Sequence, residues 1–334
     1  LPLQLAGEDP DHETSDNTHR VLIVDQPEQT FVFENVGERP VPSLLRGFSA
    51  PVRLEYDYSR DSLCRLMSRD DDGFVRWDSA QTLALQVINE VQQQLAQDRE
   101  PSVDVALTDA YCQLLQDASL DPAMVAEMLT LPAENYLAEL AGEGAADVDL
   151  IHRARHCVQK AIGQAASDVL LERYQALASD AAYLPSGEQI ANRALRNSCL
   201  NYLACADRQH LALAAAQLQS ANNMTDRLMA LKVLAFHGQQ SDWEQPLAQF
   251  YQDWGHETLV VNQWLQLQAA MPDDGALERV RQLMTHPDFD MRNPNKVRSL
   301  IGGFAGANPL NFHRKDGEGY RLLGEVVAEL NSLN

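Results

Sequence analysis

The sequence predicts a mainly α protein, with a small β-sandwich over residues 1–60 and an irregular α-helical solenoid of antiparallel helix pairs over 61–334. Three observations carry this. Short runs rich in branched and aromatic residues, broken by proline, crowd the front of the chain. From about Asp61 onward, apolar residues recur at 3-4 spacing. Helix-start signals recur so that two helices advance the chain by roughly 35 residues, a period within the range of helical-hairpin arrays.

The first 60 residues hold three candidate strands: Val21-Leu22-Ile23-Val24, Thr30-Phe31-Val32-Phe33 and Val52-Arg53-Leu54-Glu55-Tyr56. The last alternates as a strand with one buried face should. Six of the fifteen prolines (Pro2, Pro10, Pro27, Pro40, Pro42 and Pro51) fall here and mark turns and strand edges. Residues 7–19 read as a polar, acidic loop. So few strands make a thin sheet, better suited to a sandwich packed on neighbours than to an independent domain.

In the helical part, Ala84, Val87, Ile88, Val91 and Leu95 keep helical spacing, as do Met224, Leu228, Leu231 and Leu234. The triplet Asp70-Asp71-Asp72 lacks the later Gly and Glu of a calcium loop and instead caps a helix beginning near Phe74. Asp121-Pro122 and Asn293-Pro294 each put a capping side chain before a proline at the first helical position. Further starts fall near 147, 164, 186, 207, 222, 241, 257, 275 and 293. No tetratricopeptide or ankyrin consensus accompanies the period.

Composition excludes several functions. The 334 residues carry 48 acidic and 26 basic side chains, a net charge of −22, which is wrong for a partner of nucleic-acid phosphate or anionic membrane. No apolar run approaches the ~20 residues that span a bilayer. Residues 1–150 hold 29 acids and 9 bases, and residues 151–334 hold 19 and 17, so acid is concentrated at the front. The five cysteines include no Cys-x-x-Cys pair and fit a reducing compartment. The chain opens Leu1-Pro2-Leu3 without methionine and stops at Asn334 on an apolar helical pattern, so both ends read as cut from something longer.

Candidate chemistry is sparse. His12-Glu13 and His256-Glu257 lack the second histidine of a zinc-peptidase helix, with Asp16 and Val260 in its place. His152 and His156 are four apart, but Arg153 and Arg155 lie between them and no third ligand is evident, so a solvated or capping role is preferred. Gly302-Gly303-Phe304-Ala305-Gly306 has no strand before it and reads as close helix packing or a bent helix. Two polar stretches interrupt apolar helix: Ala221 to Asp226, and Arg292 to Ser299. The second places Arg298 on a face with Pro294, Ile301 and Gly302. The residues alone leave Arg298 between a structural role and projection into a cavity, the structural role being favoured.

Several stretches together resemble the carboxy-terminal half of the M1-family zinc aminopeptidases of the bacterial aminopeptidase N type. They are Gln29-Thr30-Phe31-Val32-Phe33, Arg39 to Val52, Phe74 to Gln81, Leu195-Arg196-Asn197-Ser198-Cys199-Leu200, Ala221 to Asp226 and Asn293 to Gly306. Residues 1–19 do not match. The resemblance implies that the zinc ligands and catalytic base lie in an earlier domain, so this part has no cofactor or metal site of its own and is inactive alone. It also implies that further helices follow Asn334. The implied partners are the preceding domains of the same chain and peptide substrates in a shared cavity, with no nucleic acid or membrane, in the cytoplasm. Arg298 matches an arginine of the family's Asn-Pro-Asn-[basic]-x-Arg motif and is expected to line the substrate cavity. The rival from another class is a free-standing helical-repeat scaffold that binds protein partners.

Overall fold

Among the described residues, strand pairing in the amino-terminal unit is confined to four residues. The computed structural model describes residues 3–7, 18–142 and 146–333, and it divides into the units Leu1–Arg53 and Leu54–Asn334. In the first, β1 (Gln4–Leu5) pairs antiparallel with β2 (Phe33–Glu34), with Gln4 opposite Glu34 and Leu5 opposite Phe33. Arg20 Nε donates to the Leu3 carbonyl at 3.2 Å. Of the three runs expected as strands, only Phe33 enters a ladder. Val21 and Ile23 are instead 94% and 74% exposed, because a branched side chain favours the extended backbone but cannot supply the partner edge that a sheet needs. The acidic loop lies, from residue 8 to 17, outside the described residues, as do His12 and Glu13.

The second unit is helical. Its first helices are α1 (Arg60–Arg69), α2 (Gly73–Ala96), α3 (Val105–Gln116) and α4 (Pro122–Met128). Ser59, Asp72, Asp104 and Asp121 cap them, accepting backbone N–H bonds of 3.2, 2.9, 2.9 and 3.0 Å. Each cap satisfies an amide that the helix itself leaves unpaired. Arg60 joins the first three helices by donating to Asp104 and to Glu90. Arg76 of α2 is buried, and its Nη2 and Nη1 donate to the Ser68 and Asp70 carbonyls at 3.2 and 3.4 Å. A cation thereby closes the carbonyl end of α1, where the helix dipole favours positive charge.

There follow α5 (Glu134–Leu140), α6 (Val148–Ala165), α7 (Ser167–Ala176), α8 (Gly187–Ala206), α9 (Leu211–Ser220) and α10 (Met224–His237). Asp147, Ser186 and Asn223 cap α6, α8 and α10, close to three of the expected starts. Helices α6 and α8 approach closely at Gly163, where an added Cβ would stand 2.5 Å from the Tyr202 carbonyl oxygen. The last residue of α4 and the segment after it offer carbonyls to three side chains. Tyr111 donates to Met128 O (3.1 Å), Tyr202 to Leu129 O (2.6 Å) and Arg155 Nε to Pro132 O (2.8 Å). The start of α5 is therefore fixed from α3, α8 and α6 at once.

The remaining elements are α11 (Gln240–Trp254), α12 (Thr258–Ala270), α13 (Ala276–Leu283), α14 (Pro294–Val297), a π turn (Arg298–Gly302), α15 (Gly303–Ala307), α16 (Pro309–Phe312) and α17 (Glu318–Leu333). The π turn bends a helix that would otherwise run from Asn293 to Ala307, with Gly303 N–H reaching the Arg298 carbonyl. Gly303 lies against α12, its would-be Cβ 3.3 Å from Gln266 Cγ and 3.5 Å from Ala269 Cβ. Both readings of the glycine-rich stretch, close packing and a bend, are present together.

Two apolar cores result. One gathers buried residues from Leu63 to Leu234, the other from Leu231 to Val326. Helix α10 is the wall between them: Val233 and Leu234 belong to the first core, Leu231 and Ala235 to the second. A helix apolar on two sides must be covered on both, and α10 is.

Candidate functional site

The helical unit contains a cavity of about 490 Å³ whose wall is drawn from five separate stretches of chain, Ala270 and Pro272 at the end of α12 among them. Glu134 and Asn135 come from the start of α5. His152, Arg155, His156 and Gln159 come from α6, where the spacing i, i+3, i+4, i+7 puts them on one face. Lys232, Phe236 and His237 come from α10, and Gly306 to Leu310 from the turn between α15 and α16. Asn308 anchors that turn. Its buried amide donates to the Ala269 and Met271 carbonyls at 2.9 and 2.7 Å, and its Oδ1 accepts from Asn311. Asn135 Nδ2 donates to the Gly306 carbonyl at 2.9 Å, joining α5 to the end of α15.

The wall is rich in base, although the chain as a whole is strongly acidic. A carboxylate only accepts, so His152 Nδ1 is the donor in its 2.9 Å bond to Glu134 Oε1. His237 Nε2 likewise donates to Asn201 Oδ1 at 2.9 Å. Burial pushes the His237 imidazole down to about 4, with His156 and Lys232 adding repulsion. His156 is lowered first by desolvation and then by His152, Lys160 and Arg155, against a small opposing pull from Glu134. Desolvation, then Arg155, lowers Lys232. Solvent reaches Lys232 and His156 from the open side, while protein surrounding the concave wall desolvates them. The wall presents two basic side chains, Arg155 and Lys232, with the His237 imidazole, neutral near pH 7, beside them. Cys205 Sγ lies 3.9 Å from His156 Nδ1, but burial pushes its thiol up to about 12, so it stays protonated and unreactive.

The other residues singled out from the sequence fall elsewhere. Arg298 opens the π turn, is exposed, and makes no hydrogen bond or ion pair with the described residues. It shares its exposed side with Pro294 and Gly302, whereas Ile301, expected on that face, is buried because the π turn changes the helical register. Arg298 does not line the cavity described above. The His152 and His156 rings stack with centroids 6.4 Å apart. Among the described residues no group of three or more His, Cys, Asp or Glu side chains converges as a metal site.

The two polar stretches at 195–200 and 221–226 meet. Asp226, 6% exposed, accepts from Asn197 Nδ2 (2.9 Å) and Asn223 Nδ2 (3.0 Å), with Arg196 Nη1 at 3.7 Å. Gln217, 2% exposed, donates to Asn197 Oδ1 (2.8 Å) and the Asp226 carbonyl (3.0 Å) and accepts from Tyr174 (3.1 Å). The guanidinium of Arg196 also lies over the Tyr174 ring, 4.6 Å from its centroid. This network joins α7, α8, α9 and α10 and is a structural lock. Sequence reasoning missed Glu134, Lys232 and His237 as wall residues. Their one local signal is polar side chains at helical spacing on otherwise apolar helices.

A family model described as a domain of unknown function with ARM repeats, DUF3458_C, matches residues 60–334. The chain belongs to this family. Its companion, DUF3458, described as having an Ig-like fold, matches residues 1–57. The DUF3458_C chain is homologous to the carboxy-terminal region of bacterial aminopeptidase N. It is 42% identical over 337 residues to aminopeptidase N of Escherichia coli K12 and 38% identical over 314 residues to that of Haemophilus influenzae, covering 100% and 94% of this chain. It spans 37% and 36% of those relatives' lengths. Among solved structures, Legionella pneumophila aminopeptidase A in complex with aspartic acid superposes with a TM-score of 0.83 at 32% identity, covering 94% of this chain and 37% of that one. Mainly helical architecture with ARM-like repeats behind an Ig-like front is thus the fold of this family. No helix among the described residues is long and apolar enough to cross a membrane.

Proposed function

We propose that this chain is the non-catalytic carboxy-terminal part of an M1 zinc aminopeptidase, an enzyme that removes amino-terminal residues from peptides. In this reading residues 1–60 are the linking sandwich and 61–334 the helical cap over the active site, where the cap shapes substrate access. Its partners are the catalytic and amino-terminal domains of the same protein, and peptides that enter the shared space. The observation that carries the reading is the 42% identity to aminopeptidase N along the whole of this chain but only 37% of that relative. Arg298 is the residue we place toward substrate: an exposed arginine without an internal partner can hold a peptide carboxylate. The five free cysteines support a reducing, cytoplasmic setting.

The zinc ion, which activates water for attack on the peptide bond in such enzymes, belongs in this reading to the catalytic domain. Among the described residues the donor set does not suit it, since His152 is held by Glu134 and no third ligand converges. The test is direct: the purified 334-residue chain is expected to hydrolyse no aminoacyl anilide and to retain no stoichiometric zinc after dialysis. Hydrolysis, or one bound zinc per chain, would overturn the assignment of catalysis to another part of the protein.

A further inference from the structure

The basic cavity between α5, α6, α10 and the α15–α16 turn has more cation than the protein itself neutralises. Arg155 directs Nε and Nη2 to the Pro132 and Leu131 carbonyls, which leaves the Nη1 hydrogens without a partner among the described residues. The Lys232 ammonium makes no hydrogen bond or ion pair with the described residues and lies 5.4 Å from the centroid of the Phe236 ring. The one carboxylate of the wall, Glu134, gives Oε1 to His152 and keeps Oε2 free. In a chain with 48 acidic side chains, two cations facing a cavity with so little acid call for an anion from outside.

The chemistry of that anion follows from the rest of the wall. Glu134 would repel a dianion such as phosphate, but its free oxygen suits an ammonium group. Phe236, Pro272 and Leu310 offer apolar surface. The volume, about 490 Å³, is that of a small-molecule site.

We propose that this cavity binds a free α-amino acid with an apolar side chain, its carboxylate on Lys232 and Arg155 and its ammonium toward Glu134. The inference goes beyond the proposed aminopeptidase role: it stands on the cavity wall alone. A ligand there touches α5 and α6 of the first core and the α15–α16 turn of the second, so binding ties the two cores together and raises thermal stability with ligand concentration.

The experiment is isothermal titration calorimetry, with a parallel thermal shift, on the 334-residue chain, using L-leucine as probe. L-Leucinamide lacks the carboxylate, 4-methylpentanoate lacks the ammonium, and inorganic phosphate supplies an unrelated oxyanion. L-Leucine is expected to bind with a roughly millimolar Kd and to raise Tm, with each of the other three at least about tenfold weaker. Lys232→Met and Glu134→Gln are each expected to weaken leucine binding about tenfold while leaving the urea midpoint unchanged. Lys232 is exposed, and glutamine can still accept from His152, so both variants keep the fold. Absence of leucine binding, equal affinity for leucinamide, phosphate binding tighter than leucine, or undiminished binding by a folded Lys232→Met chain would each overturn the proposal. No catalytic assay enters, so these outcomes are independent of the aminopeptidase reading.

Discussion

Removing the Asp226 carboxylate is the sharpest perturbation of the helical unit. Asp226→Ala would leave the Asn197 amide, in a residue 6% exposed, without its acceptor, leave the Asn223 amide only its bond to Asn222 Oδ1, and strip Arg196 of its anionic partner at 3.7 Å. An unsatisfied buried amide costs roughly 1–3 kcal/mol. Breaking one side of a buried ion pair costs about 3–5 kcal/mol in full, less here because Arg196 is partly solvated. The lost favourable charge in the first turn of α10 adds about 0.3–1 kcal/mol. The expected total is about 3–5 kcal/mol, a large part of the ~5–15 kcal/mol that holds a typical protein folded. Asp226→Asn keeps the shape and one acceptor, so it should cost less, about 1–3 kcal/mol. Urea unfolding followed by far-ultraviolet circular dichroism measures both. A double-mutant cycle with Asn197→Ala should return a coupling of about 1 kcal/mol or more. An Asp226→Ala chain that loses less than about 1 kcal/mol would refute the view that this network is a lock.

Two further tests follow from the cavity and the π turn. His237 titrates near 4 when folded against an ordinary 6.5, so the unfolded chain takes the proton first; stability is full above about pH 6.5 and falls as pH drops toward 4, by up to about 3 kcal/mol. His237→Gln should remove that contribution and flatten the fall of urea midpoints between pH 7.5 and 5, and an unchanged slope would refute it; the lowered His156 acts in the same direction. In an aminopeptidase N carrying this sequence, Arg298→Ala should raise KM about tenfold for a tripeptide with a free carboxylate and leave KM for an aminoacyl anilide unmoved, since one charge-assisted bond is worth ~1.5–3 kcal/mol. Parallel changes in both substrates would remove Arg298 from carboxylate recognition.

Helix starts were legible because capping is local. Asp72, Asp121, Asp147, Asn223 and Asn293 each bond an amide two or three residues onward, within one glance along the chain. The strands were not, since the valines of 21–24 state a preference for extended backbone while pairing depends on distant chain. The stretches at 195–200 and 221–226 stood out as polar breaks in apolar helix, but Gln217 and Tyr174, which complete their network, carry no local mark. The cavity was illegible for the same reason: Glu134, His152, Lys232 and Gly306 are brought together only by helix stacking. His152 and His156 were visible as a four-residue pair, but the Glu134 and Cys205 side chains that meet their ring nitrogens were not.

The two-sided wall helix α10 has a consequence for how such a chain can be divided. Arrays of repeats usually tolerate trimming, since each unit leans on its neighbours alone. Here a cut before α10 would bare Val233 and Leu234's partners in the first core, and a cut after it would bare Leu231's and Ala235's in the second. Neither half retains a finished surface, so a division at α10 exposes core on whichever side loses the helix.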